Sequence, residues 1–273
     1  MSRRIRVGAV TYLNTKPLIY QWGQLAPAAD LILDLPSKLA DQLASGELDV
    51  ALIPIVEVFR GQGYRILPDM AIASNGPVLS VTVFSKVPWQ KIQTLALDEG
   101  SRTSAALVQV LLKNKYGRTV QTRPFLMNQP AEECDADAVL LIGDRAMRAA
   151  LPGYPFSYDL GQEWTEWTGL PFVYAVWAVR PGVDLGNVAE ALLQSKKRGV
   201  ENVAEIAWNE AQTLHLDPAF CRRYLTHIIK FDLGPQEWEG IHRFHTLAAG
   251  LGLAPTEVTF GDYRTSSTLT ATR

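Results

Sequence analysis

The stretch LALDEGSRTSAALVQVLL, residues 95–112, indicates the fold class because it runs from a strand through a polar turn into a helix. Its first residues are an apolar run of strand length. After residue 101 the apolar positions follow helical spacing until Gly117, where we expect the helix to end. Units of this kind are typical of α/β proteins with largely parallel sheets.

The same alternation continues on both sides of this stretch. Residues 158–170, which carry Trp164 and Trp167 between glycines, are predicted to be irregular, and helical periodicity dominates after residue 187. Apolar runs that predict further strands lie at residues 5–13, 50–53, 78–85, 120–125, 138–142 and 172–179. The chain is therefore predicted to be an α/β protein with a helical C-terminal part.

No internal repeat and no low-complexity linker separates these elements. Two units, residues 1–86 and 87–179, are predicted to meet without a flexible connection, and residues 180–273 are predicted to return as helices to the first unit. This organisation favours two lobes joined by crossing strands, with a ligand cleft between them. A single doubly wound sheet is the alternative that composition leaves open.

Composition and charge exclude several classes of partner. The 273 residues are 47 % hydrophobic and 20 % charged, with a formal net charge of −2. Because the chain lacks a basic excess, nucleic acid and anionic membrane surfaces are not predicted partners.

The sequence also predicts a cytoplasmic protein. No segment approaches the roughly 18 uninterrupted apolar residues of a membrane helix, and only a short apolar run follows the basic N-terminus, which disfavours a secretory signal. Cys134 and Cys221 are the only cysteines, so we expect two buried thiols rather than a disulfide or a thiolate metal site.

Polar residues cluster where predicted strands end, which is where open α/β sheets bind ligands. Asn14 and Thr15 follow the first strand and are candidates for ligand contact or for helix capping. Asp144 follows strand 138–142 and is a candidate functional carboxylate or, again, a cap. Ser80 could direct a hydroxyl into the cleft from an otherwise apolar strand.

The strongest of these clusters stands at the predicted helix start after Gly100. Ser101, Arg102, Thr103 and Ser104 place three hydroxyls and a guanidinium beside free backbone N–H groups and the positive end of the helix dipole. The cluster is a candidate receptor for a carboxylate or phosphate, and a capped helix with a solvated arginine is the alternative. These residues predict a small anionic ligand bound between two lobes.

The histidines give no catalytic signature. All four lie in the C-terminal helical region, without an HExxH pattern or accompanying carboxylates, and are predicted to be surface or capping residues.

Six ordered segments resemble the chorismate dehydratase family of the futalosine route to menaquinone. The resemblance runs nearly end to end and is weakest after residue 181. It implies the two-lobed type II periplasmic-binding-protein fold and the conversion of chorismate to 3-[(1-carboxyvinyl)oxy]benzoate and water, with no metal or organic cofactor. The segments are VGAVTYLNTKPLIY (7–20), LDVALIPIVEVFR (48–60), GPVLSVTVFSK (76–86), LALDEGSRTSAALVQVLL (95–112), AVLLIGDRAM (138–147) and YDLGQEWTEWTGLPFVYAVWAV (158–179).

The resemblance also implies site residues. It places Asn14 in the active site and matches Ser80 and the helix start at residues 101–104 to family positions. The sister enzyme, which makes 1,4-dihydroxy-6-naphthoate, carries proline and cysteine in its N-terminal motif and uses a histidine base after the strand that corresponds to 138–142. This chain has no histidine before His215, which disfavours that alternative.

The reaction requires the removal of a proton from C3 and the departure of the C4 hydroxyl of chorismate. Asn14 is neutral, so it cannot act as a general base, but its amide can hydrogen-bond the leaving hydroxyl or a water. A substrate carboxylate, a water or Asp144 could take the proton, and substrate assistance is favoured. A non-catalytic anion-binding protein of the same fold stays open as a second class of function.

Overall fold

The computed structural model describes residues 4–61, 63–258 and 261–263. The strands are β1 (Arg6–Val10), β2 (Asp30–Asp34), β3 (Val50–Pro54), β4 (Arg65–Ser74), β5 (Val81–Ser85), β6 (Thr94–Asp98), β7 (Gln121–Phe125), β8 (Ala138–Ile142), β9 (Phe156–Asp159), β10 (Phe172–Val179), β11 (Ile229–Lys230) and β12 (Gly261–Asp262). The α-helices are α1 (Trp22–Leu25), α2 (Pro36–Ala44), α3 (Ile55–Phe59), α4 (Thr103–Val110), α5 (Gly143–Arg148), α6 (Leu160–Thr168), α7 (Asn187–Glu201), α8 (Val203–Leu214), α9 (Pro218–Arg223) and α10 (Pro235–Gly250).

The larger sheet contains seven strands in the described ranges. Its order is β11-β4-β10-β3-β1-β2, and β12 pairs with β4. Strands β1, β2 and β3 run parallel, whereas β10 runs antiparallel to both β3 and β4. Every residue of β3 and β10 is buried, as expected for central strands that carry continuous apolar runs and are covered on both faces.

The smaller sheet contains five of the described strands in the order β7-β6-β8-β5-β9. Strand β6 runs parallel to β7 and β8, and β5 runs antiparallel to β8 and β9. In both sheets the parallel strands end at the same edge, so the polar residues that follow β1, β6 and β8 in the sequence can line one cleft.

The chain crosses between the sheets at other places than the predicted boundaries at residues 86 and 179. Strand β5 lies before residue 86 but belongs to the smaller sheet, and β10 lies before residue 179 but belongs to the larger one. An apolar run shows that a strand is buried without showing which sheet it joins. We therefore propose that lobe 1 comprises residues 4–61, 63–74, 172–258 and 261–263, and that lobe 2 comprises residues 81–159.

Among the C-terminal helices, α7 contacts β4 of lobe 1, whereas α10 contacts both β10 of lobe 1 and α4 of lobe 2, so the helical return to lobe 1 stays a prediction. Helix α7 lies against the 3₁₀ segment Leu13–Ile19, and Gly199 makes this approach possible, because a Cβ there would overlap the backbone of Pro17. Cys134 and Cys221 are free and buried, which confirms their prediction as core thiols.

The region 158–170 is regular rather than irregular: it consists of the end of β9 and of helix α6, which ends at Thr168. Asp159 caps α6 by accepting hydrogen bonds from Gly161 N and Gln162 N, and Gly169 ends the helix in a left-handed conformation. Trp164 is buried against Phe172, so the tryptophans and glycines that suggested irregular structure serve packing and termination of the helix.

Candidate active site

A pocket lies between the two sheets at the carboxyl ends of their parallel strands. It holds about 540 Å³ of space that protein atoms do not fill, part of which opens to solvent. Val10 and Pro54 line it from lobe 1, and Ile142 and Gly143 line it from lobe 2. Six of the eight predicted site residues line the same pocket: Asn14, Ser80, Ser101, Arg102, Thr103 and Ser104.

Asn14 and Ser80 line the pocket and are joined by Tyr224, which does not itself line it; the three residues are here called the strand-end wall. Asn14 sits one residue into the 3₁₀ segment that follows β1, and its Nδ2 donates to Tyr224 Oη over 3.2 Å. Tyr224 Oη donates in turn to Ser80 Oγ over 2.8 Å. Asn14 Oδ1 is buried and has no hydrogen-bond partner among the described residues. The amide oxygen is therefore the part of Asn14 that is left to accept from a ligand.

The backbone that carries Ser80 is held in an uncommon conformation. Ser80 precedes β5 rather than lying inside a strand, and Leu79 has a φ of +63°, which is rare for a branched side chain. The Asp159 carboxylate accepts from Val78 N and, over 2.6 Å, from Leu79 N. Asp159 thus connects two segments. The first is the backbone at residues 78–79, where the chain passes from lobe 1 to lobe 2, and the second is the start of α6, after which the chain returns to lobe 1.

A second group of lining residues, here called the helix-start wall, consists of residues 101–104 at the beginning of α4. Ser101 Oγ accepts from Ser104 N over 3.2 Å and so satisfies one of the free N–H groups of the helix start. Thr103 Oγ1 accepts from Val56 N over 3.3 Å, which connects the lobes. Each hydroxyl keeps its own proton for a second hydrogen bond, so capping and ligand binding are compatible here.

Arg102 lines the pocket, but its guanidinium binds carboxylates of lobe 1. Nη2 contacts both oxygens of Asp41 at 2.8 and 2.7 Å, and Nη1 contacts Glu57 at 3.1 Å. The sequence alternative of a solvated arginine is therefore wrong, and the predicted role in substrate binding stays a prediction. The observed contacts make Arg102 an ionic connection between the lobes.

Thr15 and Asp144 lie outside the lining of this pocket. Thr15 belongs to the 3₁₀ segment and is fully buried. Asp144 does not cap its own helix, since Ile142 occupies the N-cap position of α5. Its carboxylate instead accepts from Leu13 N over 3.2 Å, next to Asn14 in the sequence. Burial raises the pKa of Asp144, and the hydrogen bond from Leu13 N opposes that shift.

Two further polar residues of the pocket region are Tyr12, which is half-buried and lines the pocket, and Asp98, which is buried at the end of β6. The Tyr12 ring covers Gly143, whose φ is +60° and whose Cβ, if present, would lie 2.9 Å from the ring. Tyr12 Oη is buried with no hydrogen-bond partner in the described part of the chain. Burial raises the pKa of Asp98 to about 6, although Gly100 N–H and Arg145, whose Nη1 lies 3.6 Å from Asp98 Oδ2, both lower it.

Sequence reasoning missed three tyrosines of the pocket region. Tyr12 and Tyr174 line the pocket, and Tyr224 joins Asn14 to Ser80. Tyr12 stands inside a motif that the sequence had singled out, so its position was a usable signal. Tyr224 has no such local signal, because it lies 210 positions from Asn14 and 144 from Ser80.

Two further observations concern metals and membranes. Within residues 4–61, 63–258 and 261–263, no three His, Cys, Asp or Glu side chains are grouped to hold a metal ion. Among the described helices, none is both long and apolar enough to cross a membrane.

Solved structures confirm the predicted fold class. A Candida albicans protein, described as having the generic periplasmic binding protein structural fold, superposes with a TM-score of 0.63 at 13 % identity. The superposition covers 94 % of this chain and 92 % of that one. At this level of identity the similarity shows the fold alone.

Sequence comparisons identify the family. A family model described as menaquinone biosynthesis matches residues 5–250. The chorismate dehydratase of Thermus thermophilus is 31 % identical over 244 residues, covering 81 % of this chain and 87 % of the relative. That of Campylobacter jejuni is 29 % identical over 253 residues, covering 90 % and 99 %. The chain belongs to the chorismate dehydratase family of menaquinone biosynthesis.

Proposed function

We propose that this protein dehydrates chorismate to 3-[(1-carboxyvinyl)oxy]benzoate, in the cytoplasm and without a metal or organic cofactor. The observation that carries the proposal is the pocket itself, whose lining combines the neutral amide of Asn14 from lobe 1 with the hydroxyl-rich helix start of lobe 2. This arrangement suits a small dianion with a hydroxyl to be eliminated. Relatives that bear the activity in their names support the same conclusion.

The helix-start wall is the proposed carboxylate site. Ser101, Thr103 and Ser104 bring hydroxyl protons to the positive end of α4, where an anion is stabilised by the helix dipole and by N–H donors. A carboxylate held there would keep the enolpyruvyl arm away from the geometry of the competing rearrangement. Fixing the reactive conformation in this way can lower a barrier by several kcal/mol.

The strand-end wall is the proposed site of the eliminated hydroxyl. Asn14 Oδ1 is available as an acceptor, and the C4 hydroxyl of chorismate or a water is a suitable donor. Elimination breaks the C3–H and C4–O bonds, forms an aromatic ring and releases water. Aromatisation makes the reaction favourable, so the protein has to select this elimination rather than drive it.

The lining of the pocket favours substrate assistance for proton removal. No His, Asp, Glu or Lys belongs to the described residues that line it. The Asp144 carboxylate is 8 % exposed, is bound to Leu13 N and lies outside the lining. We therefore propose that a carboxylate of the substrate or an ordered water takes the C3 proton and that this proton ends on the departing C4 hydroxide, which leaves as water.

The direct test is to incubate the purified protein with chorismate and identify the product by mass spectrometry against an authentic standard. We expect the enol ether benzoate to form at the same rate after exhaustive chelation, because no step requires a metal. Tight binding of chorismate without turnover would support an anion-binding protein instead. Formation of a dihydroxynaphthoate from the substrate of the sister enzyme, with chorismate left intact, would support that sister reaction.

A further inference from the structure

The C-terminal part of the chain contributes a buried hydroxyl to the pocket wall. Tyr224 begins the π-helical segment Tyr224–Ile228, is 1 % exposed and stacks its ring parallel to Phe220 at 6.5 Å. Its Oη is the centre of the strand-end wall, with Asn14 on one side and Ser80 on the other. The site described so far uses only the two outer residues.

The direction of these hydrogen bonds determines which end of the Asn14 amide faces a ligand. A phenol has one proton, and Tyr224 gives it to Ser80 Oγ at 2.8 Å. Its oxygen can then only accept from Asn14, so Nδ2 turns toward Tyr224 at 3.2 Å and Oδ1 points away. Burial raises the pKa of Tyr224, which keeps the phenol protonated over the working pH range.

Without the Tyr224 hydroxyl, the two orientations of the Asn14 amide would have similar energies. The terminal torsion of asparagine is broad and roughly two-fold, so a rotation of about 180° exchanges acceptor and donor at nearly the same positions. A rotated amide would present N–H groups to the ligand in place of the unpartnered Oδ1.

We propose that Tyr224 is a positioning residue that sets the orientation of the Asn14 amide for the reaction. The inference rests on the proposed function, because Asn14 is taken to act on the eliminated hydroxyl. Tyr224 acts through Asn14 and Ser80 rather than through contact with the reacting atoms.

The kinetic test is Tyr224→Phe, which keeps the ring and removes the hydroxyl. We expect kcat to fall by about 10- to 100-fold, the range found when supporting hydrogen bonds around a site are removed, with KM changed less than about threefold. In an Asn14→Ala background the same substitution should lower kcat by less than about twofold, since the group that it positions is gone.

A second readout does not depend on turnover. In the wild-type protein the Asn14 side-chain N–H that binds Tyr224 should exchange slowly with water. In Tyr224→Phe, ¹⁵N-detected hydrogen exchange should show the protection of this N–H falling by about tenfold or more. A tenfold loss corresponds to a lost hydrogen bond of about 1.4 kcal/mol. This measurement also works if chorismate is not the substrate. It therefore separates failure of this inference from failure of the proposed function.

Tyr154→Phe is the matched control. Tyr154 is also buried, and its Oη donates to Ala131 O at 2.7 Å in a core cluster of lobe 2, outside the pocket lining. It should lose stability without losing kcat or Asn14 protection. Wild-type kcat in Tyr224→Phe, an equal loss of kcat in Tyr154→Phe, or a full additive loss in the Asn14→Ala background would overturn the proposal.

Discussion

The two walls of the pocket organise their polar groups in different ways. The strand-end wall joins Asn14, Ser80 and Tyr224, which are up to 210 positions apart, by hydrogen bonds between buried side chains. The helix-start wall caps itself, since Ser101 binds Ser104 three residues away, and its links to lobe 1 use Thr103 and Arg102. The first wall orients one amide, whereas the second offers several donors at a fixed helix end. Substitutions should therefore affect the rate of the reaction at the first wall and the binding of the substrate at the second.

The largest effect is expected from Asn14→Asp. The change replaces the donor to Tyr224 by a carboxylate oxygen and puts a negative charge next to a dianionic substrate. Two like charges about 4 Å apart repel by roughly 4 kcal/mol at an effective dielectric constant of about 20, so we expect kcat/KM to fall by at least about 10²- to 10³-fold. Steady-state kinetics with thermal unfolding measure it.

Asn114→Asp is the control for that change. Asn114 is exposed, and its Nδ2 binds Val110 O at 3.1 Å, outside the lining of the pocket. It should leave kcat unchanged. Asn14 does not cap its 3₁₀ segment, since Tyr12 holds the N-cap position and no side chain caps the segment. A stable Asn14→Asp protein with near wild-type turnover would therefore reduce Asn14 to a packing role.

This difference between the walls also explains what the sequence could predict. The helix start at residues 101–104 was visible because capping and dipole interactions act over three or four positions. The six predicted residues that line the pocket came from such local patterns and from the family resemblance. Tyr224 could not be predicted, because its hydroxyl finds its two hydrogen-bond partners only when three segments that are distant in the sequence meet in the folded protein.

The predictions that the structure corrects also concern contacts between distant parts of the sequence. The local sequence predicts that Asp144 is an N-cap, yet its carboxylate accepts a hydrogen bond from Leu13 N, 131 positions away. This donor comes from the tertiary structure and not from the helix that Asp144 belongs to. Strands β5 and β10 were predicted as strands, but their sheet was decided by antiparallel pairing with distant partners. Local periodicity carries no information about such pairing.

The second prediction concerns Asp98, the last residue of β6, which precedes the helix-start wall in the chain. Its pKa is about 6 in the folded protein against an ordinary 3.8. Below about pH 4 the carboxyl is protonated in both states. As the pH rises toward 6, the unfolded chain releases the proton while the folded chain retains it, so the free energy of unfolding falls, by up to about 3 kcal/mol.

Asp98→Asn cannot ionise and should lack this loss. The difference in unfolding free energy, variant minus wild type, should therefore grow by about 2–3 kcal/mol in favour of the variant between pH 4 and pH 7. Denaturant titrations at the two pH values measure it. A difference that is the same at both would show that Asp98 is ionised in the fold at pH 4 already.

The third prediction tests the helix-start wall. Ser101→Ala removes a hydroxyl proton from the proposed carboxylate site, and a hydrogen bond to a charged group is worth about 1.5–3 kcal/mol, so KM should rise at least tenfold with kcat nearly unchanged. Thr103→Ala should act in the same direction. Ser85→Ala is the control, because Ser85 is buried and its Oγ binds Val87 O away from the pocket. If KM is unchanged in both Ser101→Ala and Thr103→Ala, the two hydroxyls serve only to cap the helix and to connect the lobes.

The smallest effect is expected from the ionic connection between the lobes. Asp41 is 66 % exposed and binds Arg102 from outside the pocket lining, so Asp41→Asn weakens the connection without touching the substrate. An exposed ion pair contributes about 0.2–1 kcal/mol, which corresponds to a rise in KM of about fivefold at most.

Salt screens such pairs, so increasing ionic strength should raise the wild-type KM relative to that of the variant until the two meet. Glu132→Gln, an exposed acid in lobe 2, should leave KM unchanged at every ionic strength. If the gap between wild type and Asp41→Asn persists at 1 M salt, the contribution of Asp41 is not ionic, and the connection between the lobes must then depend on Glu57 and on the hydrogen bond from Val56 N to Thr103.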